Sequence, residues 1–147
     1  MGKVKKILLV EDDENDLELT LAALDENHLS NEIDIVRDGE EALDYLYRRG
    51  RFKDRDKENP AVILLDLKLP KVNGMEVLKQ VKEDPDLKSI PVVMLTSSRE
   101  EKDLVSSYNL GVNAFVVKPV EFERFVEAVK QLGLFWAVLN EAPSIKI

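Results

Sequence analysis

Ala61-Val62-Ile63-Leu64-Leu65-Asp66 is a continuous apolar run that ends in a carboxylate. An uninterrupted aliphatic run of this length suits a strand covered on both faces of a parallel sheet. Two other runs repeat the pattern. Ile7-Leu8-Leu9-Val10 ends in Glu11-Asp12-Asp13, and Ala114-Phe115-Val116-Val117 ends in Lys118. Three strand-like segments therefore deliver charge at the same end. In a parallel sheet those ends lie side by side, so the charges meet in one pocket. Carboxylates crowded beside one lysine suit a divalent metal and an anionic group such as phosphoryl.

Segments of helical period separate the strands. Leu17, Leu21 and Leu24 mark one face of a helix from about Asp13 to Asn27. The first strand spans Val4 to Val10, and Glu32 to Val36 alternates polar and apolar residues as a strand nearer an edge does. Gly39 to Arg49 is helical, with Ala42, Leu43, Leu46 and Tyr47 as its buried stripe. Arg51 to Pro60 is charged and without period, and reads as an exposed loop. Met75, Leu78 and Val81 or Lys82 carry the next helix, which ends near Asp84-Pro85. Pro91 to Leu95 is the fourth strand. Leu104, Val105 and Tyr108 mark a helix that ends at Gly111. Phe122, Phe125, Val126, Val129, Leu132 and Trp136 mark a last helix that runs unusually far. Strict alternation of strands and helices predicts an α/β fold with a parallel sheet and right-handed crossovers. Strand order does not follow from periodicity. The doubly wound order 2-1-3-4-5 is one solution, with its ligand crevice at the switch between strands 1 and 3. Those strands end in Asp12 and Asp66.

Size and composition narrow the function. A chain of 147 residues fits a single domain, 1–147, with a core at about 5–131 and an extended last helix and tail at 132–147. It can bury roughly 70% of its unfolded surface, so no covalent staple is needed. Cysteine is absent, which excludes disulfides, thiolate metal sites and a cysteine nucleophile and fits a reducing, cytoplasmic setting. No apolar run approaches the roughly 20 residues that cross a bilayer, and the opening residues carry no signal pattern, so membrane insertion is not expected. A net charge of −8 argues against direct nucleic-acid binding. The single histidine, His28, leaves little room for histidine-metal sites or triads with a histidine base. His28 lacks an acidic partner at helical spacing and reads as structural.

The segments ILLVEDD, VILLDLKLPKVNG, VVMLTSS and FVVKP fall in order at compatible spacings. Together they resemble the receiver domain of two-component response regulators, over about Lys5 to Gln131. The long loop Arg49 to Pro60 and the tail Phe135 to Pro143 resemble single-domain regulators that pair with bacterial and cyanobacterial phytochrome kinases. The resemblance implies a flavodoxin-like fold with sheet order 2-1-3-4-5. It also implies that Asp66 is a phosphoacceptor, and a carboxylate can attack phosphorus to form an aspartyl phosphate. Mg²⁺ would be held by Asp12 and Asp66 directly, by the backbone carbonyl of Lys68, and by Glu11 through water. Asp13 would instead cap the following helix. Lys118 would pair with Asp66 and then with a phosphoryl oxygen, with a cis peptide before Pro119 aiming it. Thr96 would be the switch hydroxyl, with Ser97 or Ser98 capping the next helix in its place, and Phe115 the switch aromatic. Asn73-Gly74 would take positive φ to start the next helix. The donor would be a sensor histidine kinase or a histidine phosphotransfer protein, docked on a face of the first helix that includes Leu19 and Ala23. The chain would be a signalling phosphoacceptor rather than an enzyme, catalysing only its own phosphorylation and dephosphorylation. With no effector domain after it, its output would be partner binding through helix 4, strand 5 and helix 5. The aromatic surface at Phe135 and Trp136 points to a homodimer or a docking site, or else to packing on the chain's own sheet.

Three other readings share parts of the pattern. A haloacid-dehalogenase-like phosphatase needs a second aspartate two residues after the first, where Lys68 stands. A phosphate-independent module would lack pocket residues, and none is missing. A flavin-binding module needs a phosphate-cradling loop after Val10, where acids stand instead.

Overall fold

A computed structural model describes residues 6–25, 32–56 and 58–131. His28, the strand start at Val4, the helix end at Asn27, and the tail with Leu132, Phe135 and Trp136 lie outside the described residues. Five strands, β1 (Ile7–Val10), β2 (Ile33–Val36), β3 (Val62–Asp66), β4 (Val92–Thr96) and β5 (Ala114–Val117), alternate with five helices. These are α1 (Glu14–Asp25), α2 (Gly39–Tyr47), α3 (Gly74–Glu83), α4 (Arg99–Ser107) and α5 (Phe122–Gln131). All neighbouring strands are parallel, and the sheet order is β2-β1-β3-β4-β5. This is the doubly wound order, with β2 on the edge as its alternation predicts.

The aliphatic runs fill the sheet on both faces. Leu8, Val10, Ile63, Leu65 and Met94 point into one core, which α2 and α3 cover. Ile7, Leu9, Leu64, Val93 and Leu95 point into the other, beneath α1 and α5. Strand residues alternate sides, so a run exposed on either face would show polar residues at every second position. Each fully buried aliphatic side chain stabilises the fold by roughly 1.5–3 kcal/mol. The register places Val10 beside Leu65, Asp66 beside Leu95 and Thr96 beside Val117. The residues that end these strands therefore share one rim. Helix N-termini meet the same rim. Asp13, Asp38, Asn73 and Ser98 cap α1, α2, α3 and α4, each accepting from the backbone N–H three residues on.

Several elements differ from the sequence reading. On α1, Thr20 is buried with Leu17 and Leu24, while Leu21 is half-buried. On α2, Tyr45 is fully buried and Tyr47 only partly. The reason is the segment after α2, which is largely exposed as expected but docks Phe52 and Arg55 onto Tyr45. It makes a 3₁₀ turn at Gly50–Phe52, stacks Phe52 edge-on against Tyr45 at 5.3 Å, and lays the Arg55 guanidinium 4.2 Å from the Tyr45 ring. Arg55 also donates to the Tyr45 and Glu58 carbonyls, both at 3.0 Å. On α4, Val105 alone is buried, and Leu104 and Tyr108 are 50% and 59% exposed. The positive φ in the loop after Asp66 belongs to Lys71, at 66°, and Asn73 is extended at −74°. Gly74 is required for space instead: a Cβ there would lie 2.2 Å from the Asp66 carbonyl oxygen.

The Tyr45 hydroxyl donates to Asp34 Oδ2 at 2.6 Å. Tyr45→Phe removes that bond while keeping the ring contacts. Urea unfolding is expected to show a loss of about 1–2 kcal/mol. An unchanged midpoint would mean that the bond contributes nothing beyond the ring's burial.

Candidate functional site: an acidic pocket around a lysine

Glu11, Asp12 and Asp66 each present a carboxylate oxygen, and these oxygens lie within 4.8 Å of one another. Glu11 follows β1 and its backbone N–H bonds to the Val36 carbonyl, which fixes its direction. Asp66 is the last residue of β3, held by the register with β4. Glu11 and Asp66 are buried, whereas Asp12 is exposed. Three like charges this close repel one another strongly unless a cation or a proton intervenes. Lys118 supplies one cation. Its ammonium lies 3.2 Å from Asp66 Oδ1, 3.3 Å from Glu11 Oε2 and 2.9 Å from Asp16 Oδ2. The backbone before the lysine is anchored too, because the Lys118 N–H donates to the Thr96 carbonyl at 2.7 Å. The Lys118–Pro119 peptide is cis.

A shared proton offsets the remaining repulsion. Burial, and then the charge of Asp66, push the Glu11 carboxyl up to about 7. Burial also raises Asp66, against the opposing hydrogen bond from Glu11, the charge of Lys118 and the Lys68 backbone N–H. Burial thus favours a proton held within the pair, and the hydrogen bond between the two raises Glu11 and lowers Asp66. Burial pulls Lys118 down, but the hydrogen bond to Asp16 and the charges of Asp66 and Glu11 outweigh it and hold the ammonium above the ordinary lysine range. Such an oxygen-only set fits a hard divalent cation that replaces the shared proton.

Thr96 ends β4 on the same rim. Its Oγ1 is buried and has no hydrogen-bond partner among the described residues. A buried hydroxyl with no partner costs roughly 1–3 kcal/mol, so the site holds one donor in reserve. Phe115 lies in the middle of β5, half-buried, with the Lys102 ammonium 5.6 Å from its ring. It is not part of the carboxylate cluster. The Lys68 side chain turns away to Glu101 Oε2 at 3.2 Å. An open groove of about 520 Å³ adjoins the cluster, lined by Asp12, Lys68, Leu69, Pro70, Met75 and Leu104.

Sequence reasoning missed two residues. Asp16 stands in the first turn of α1, where an acid reads as a favourable charge for the helix dipole. Nothing local marks it as a lysine partner. Glu101 accepts the Ser97 N–H at 2.7 Å, a bond that, with Lys68, holds its carboxyl below the usual range. The spacing Ser98-x-x-Glu101 is a capping-box signature that pointed to it.

Comparison with known proteins agrees with this geometry. Residues 7–130 match the response regulator receiver domain model. The chain is 41% identical to the response regulator Rcp1 of Synechocystis sp., covering 90% of this chain and 88% of that protein. A solved structure of Rcp1 is a Mn²⁺-bound form, 39% identical with a TM-score of 0.72, covering 95% of this chain and 99% of that one. The bacteriophytochrome response regulator RtBRR is 68% identical with a TM-score of 0.89, covering 96% of this chain and 85% of that one. The phosphorylated cyanobacterial phytochrome response regulator RcpA is 42% identical with a TM-score of 0.74, covering 97% and 100%.

The Glu11 shift carries a pH dependence of defined sign. Between pH 4.5 and about 7 the folded protein holds a proton that the unfolded chain has released. Stability of the metal-free protein therefore falls as pH rises through that window, by up to about 3 kcal/mol for a shift of this size. With a chelator present, Tm is expected to be lower at pH 8 than at pH 5.5. A divalent cation should raise Tm more at pH 8, and Glu11→Gln should flatten the metal-free profile. A Tm that rises with pH in chelator would contradict the proton-sharing pair.

Proposed function

The chain belongs to the response regulator receiver domain family, and from that premise we propose that it accepts a phosphoryl group on Asp66 from a histidine kinase. One observation carries the reading. A buried carboxylate sits 3.2 Å from a partly buried lysine, among further carboxylates, with a hydroxyl that lacks a partner among the described residues ending the adjacent strand. An Asp66 carboxylate oxygen attacks the phosphorus of a phosphohistidine, the phosphorus–nitrogen bond breaks, and the imidazole leaves with the bonding pair. Asp12, Asp66, the Lys68 carbonyl and, through water, Glu11 would hold Mg²⁺, which would supply charge neutralisation between two anionic reactants. Lys118 follows the charge from the carboxylate to the new phosphoryl oxygens.

The added dianion gives Thr96 Oγ1 the acceptor it otherwise lacks. As Thr96 moves toward it, space opens beside Phe115, which turns inward. This shifts a pre-existing equilibrium of the face formed by α4, β5 and α5. That face carries Leu104, Tyr108 and Val117, all exposed, so its output is contact with a partner protein or a second copy of the chain. The donor is a sensor kinase or a histidine phosphotransfer protein. Similarity to RtBRR and RcpA supports a phytochrome-type kinase. In this reading the chain works in the cytoplasm and catalyses only its own phosphorylation and dephosphorylation. A dehalogenase-like hydrolase is not favoured, because the Lys68 side chain is paired with Glu101 and is not a carboxylic acid.

Two measurements test the reading. Incubation with a small phosphodonor and Mg²⁺ is expected to add about 80 Da, the mass of one PO₃H on a carboxylate nucleophile, to the peptide that contains Asp66. Asp66→Asn should take up none, and label retained by that variant would place the nucleophile elsewhere. Leu19 is 46% exposed on α1. Leu19→Arg is expected to slow transfer from the kinase at least several-fold while leaving uptake from the small donor unchanged. Equal loss by both routes would remove α1 as the docking face.

A further inference from the structure

Lys118 makes its shortest ion pair with Asp16, not with Asp66. The distances are 2.9 Å to Asp16 Oδ2, 3.2 Å to Asp66 Oδ1 and 3.3 Å to Glu11 Oε2. An ammonium has three N–H donors, so these three carboxylates saturate it. The three partners differ in what else they do. Glu11 and Asp66 belong to the close carboxylate cluster, whereas Asp16 is outside it. Asp16 is also built into a rigid position. It occupies the first turn of α1, and its own backbone N–H is held by the Asp13 carboxylate at 2.8 Å. A lysine otherwise carries up to about 2 kcal/mol of side-chain rotamer entropy, and its stem here starts at the exposed end of β5.

We propose that Asp16 is a positioning residue that holds the Lys118 ammonium over the pocket while Asp66 reacts. The proposal rests on the reading of Asp66 as phosphoacceptor. When Glu11 and Asp66 turn to a divalent cation, or Asp66 becomes an acyl phosphate, two of the three anchors weaken. Asp16 takes part in neither event and keeps its bond. Lys118 then reaches the phosphoryl oxygens from a fixed direction. The same bond ties the first turn of α1 to the end of β5, two elements far apart in sequence.

The test is a double-mutant cycle on the full chain with phosphoramidate and Mg²⁺, read as the rate of adduct formation by intact mass. Asp16→Asn is expected to slow phosphorylation roughly five- to tenfold, and Asp16→Glu to restore most of the rate. In the Lys118→Ala background, Asp16→Asn is expected to change the rate by less than about twofold, because residues that act as a unit are not additive. A second readout is independent of turnover. The ¹⁵N resonance of the Lys118 ammonium is expected to be slowly exchanging in the parent protein and to shift or broaden in Asp16→Asn. An unaltered rate in Asp16→Asn, an equal slowing in the Lys118→Ala background, or an unshifted ammonium resonance would each overturn the proposal. No adduct on the parent protein would instead reject Asp66 as phosphoacceptor, and the ammonium resonance would still decide what Asp16 does.

Discussion

Repulsion between carboxylates at the rim of the sheet is the constraint that organises this molecule. The parallel register puts Glu11, Asp12 and Asp66 together, and no arrangement of the surrounding strands separates them. The metal-free protein answers with one ammonium and one shared proton. Both answers are partial. Burial and the charge of Asp66 raise the Glu11 carboxyl only to about 7, and Lys118 has three carboxylates to serve. The pocket is left with excess negative charge and a demand for a further cation. That demand links binding to pH and stability, since any cation that enters displaces a proton and relieves a strain the fold cannot remove by itself.

The fold contributes stiffness rather than chemistry. The three central strands that end at the pocket, β1, β3 and β4, are buried along their length and paired on both sides, and four helices start at the same rim with side-chain caps. Close backbone approach tightens it further. Gly39 leaves room for the Val72 carbonyl oxygen, which a Cβ would meet at 1.8 Å, and Gly74 does the same for Asp66. These contacts clasp the loop after β3 between α2 and β3 itself, so the pocket cannot relax its charges by spreading apart.

Much of this was legible in the sequence because buried parallel strands have an unmistakable pattern. Ile7 to Val10 and Val62 to Leu65 can be little else, and the charges that close them name the pocket. Periodicity was weaker where burial depends on a neighbour. Tyr45 and Tyr47 both lie near the apolar stripe of α2, and only the docked segment around Phe52 and Arg55 decides which of them is covered. Leu104 and Tyr108 share a helical face with Val105 in sequence, yet α4 touches the sheet along a narrow line and leaves both in solvent. Asp16 was invisible for a related reason. Its partner is 102 residues away, and an acid in a first helical turn already has a sufficient local explanation.

Thr96 shows how these features would combine in the proposed switch. Among the described residues the buried Thr96 hydroxyl has no partner, which costs stability. Thr96 ends β4 on the rim that also holds Asp66, where carboxylates already crowd the space. A phosphoryl group would be repelled there unless Lys118 and a cation had first compensated that charge. The resting pocket thus withholds the satisfaction of Thr96 until the charge problem is solved. In the proposed reading, the energy released when the hydroxyl finds its acceptor would be available to move Phe115 and the α4–β5 surface. Under that proposal, local frustration of one side chain and repulsion among several carboxylates would be relieved by the same event, which is how a single modification would tip a rigid fold between two states.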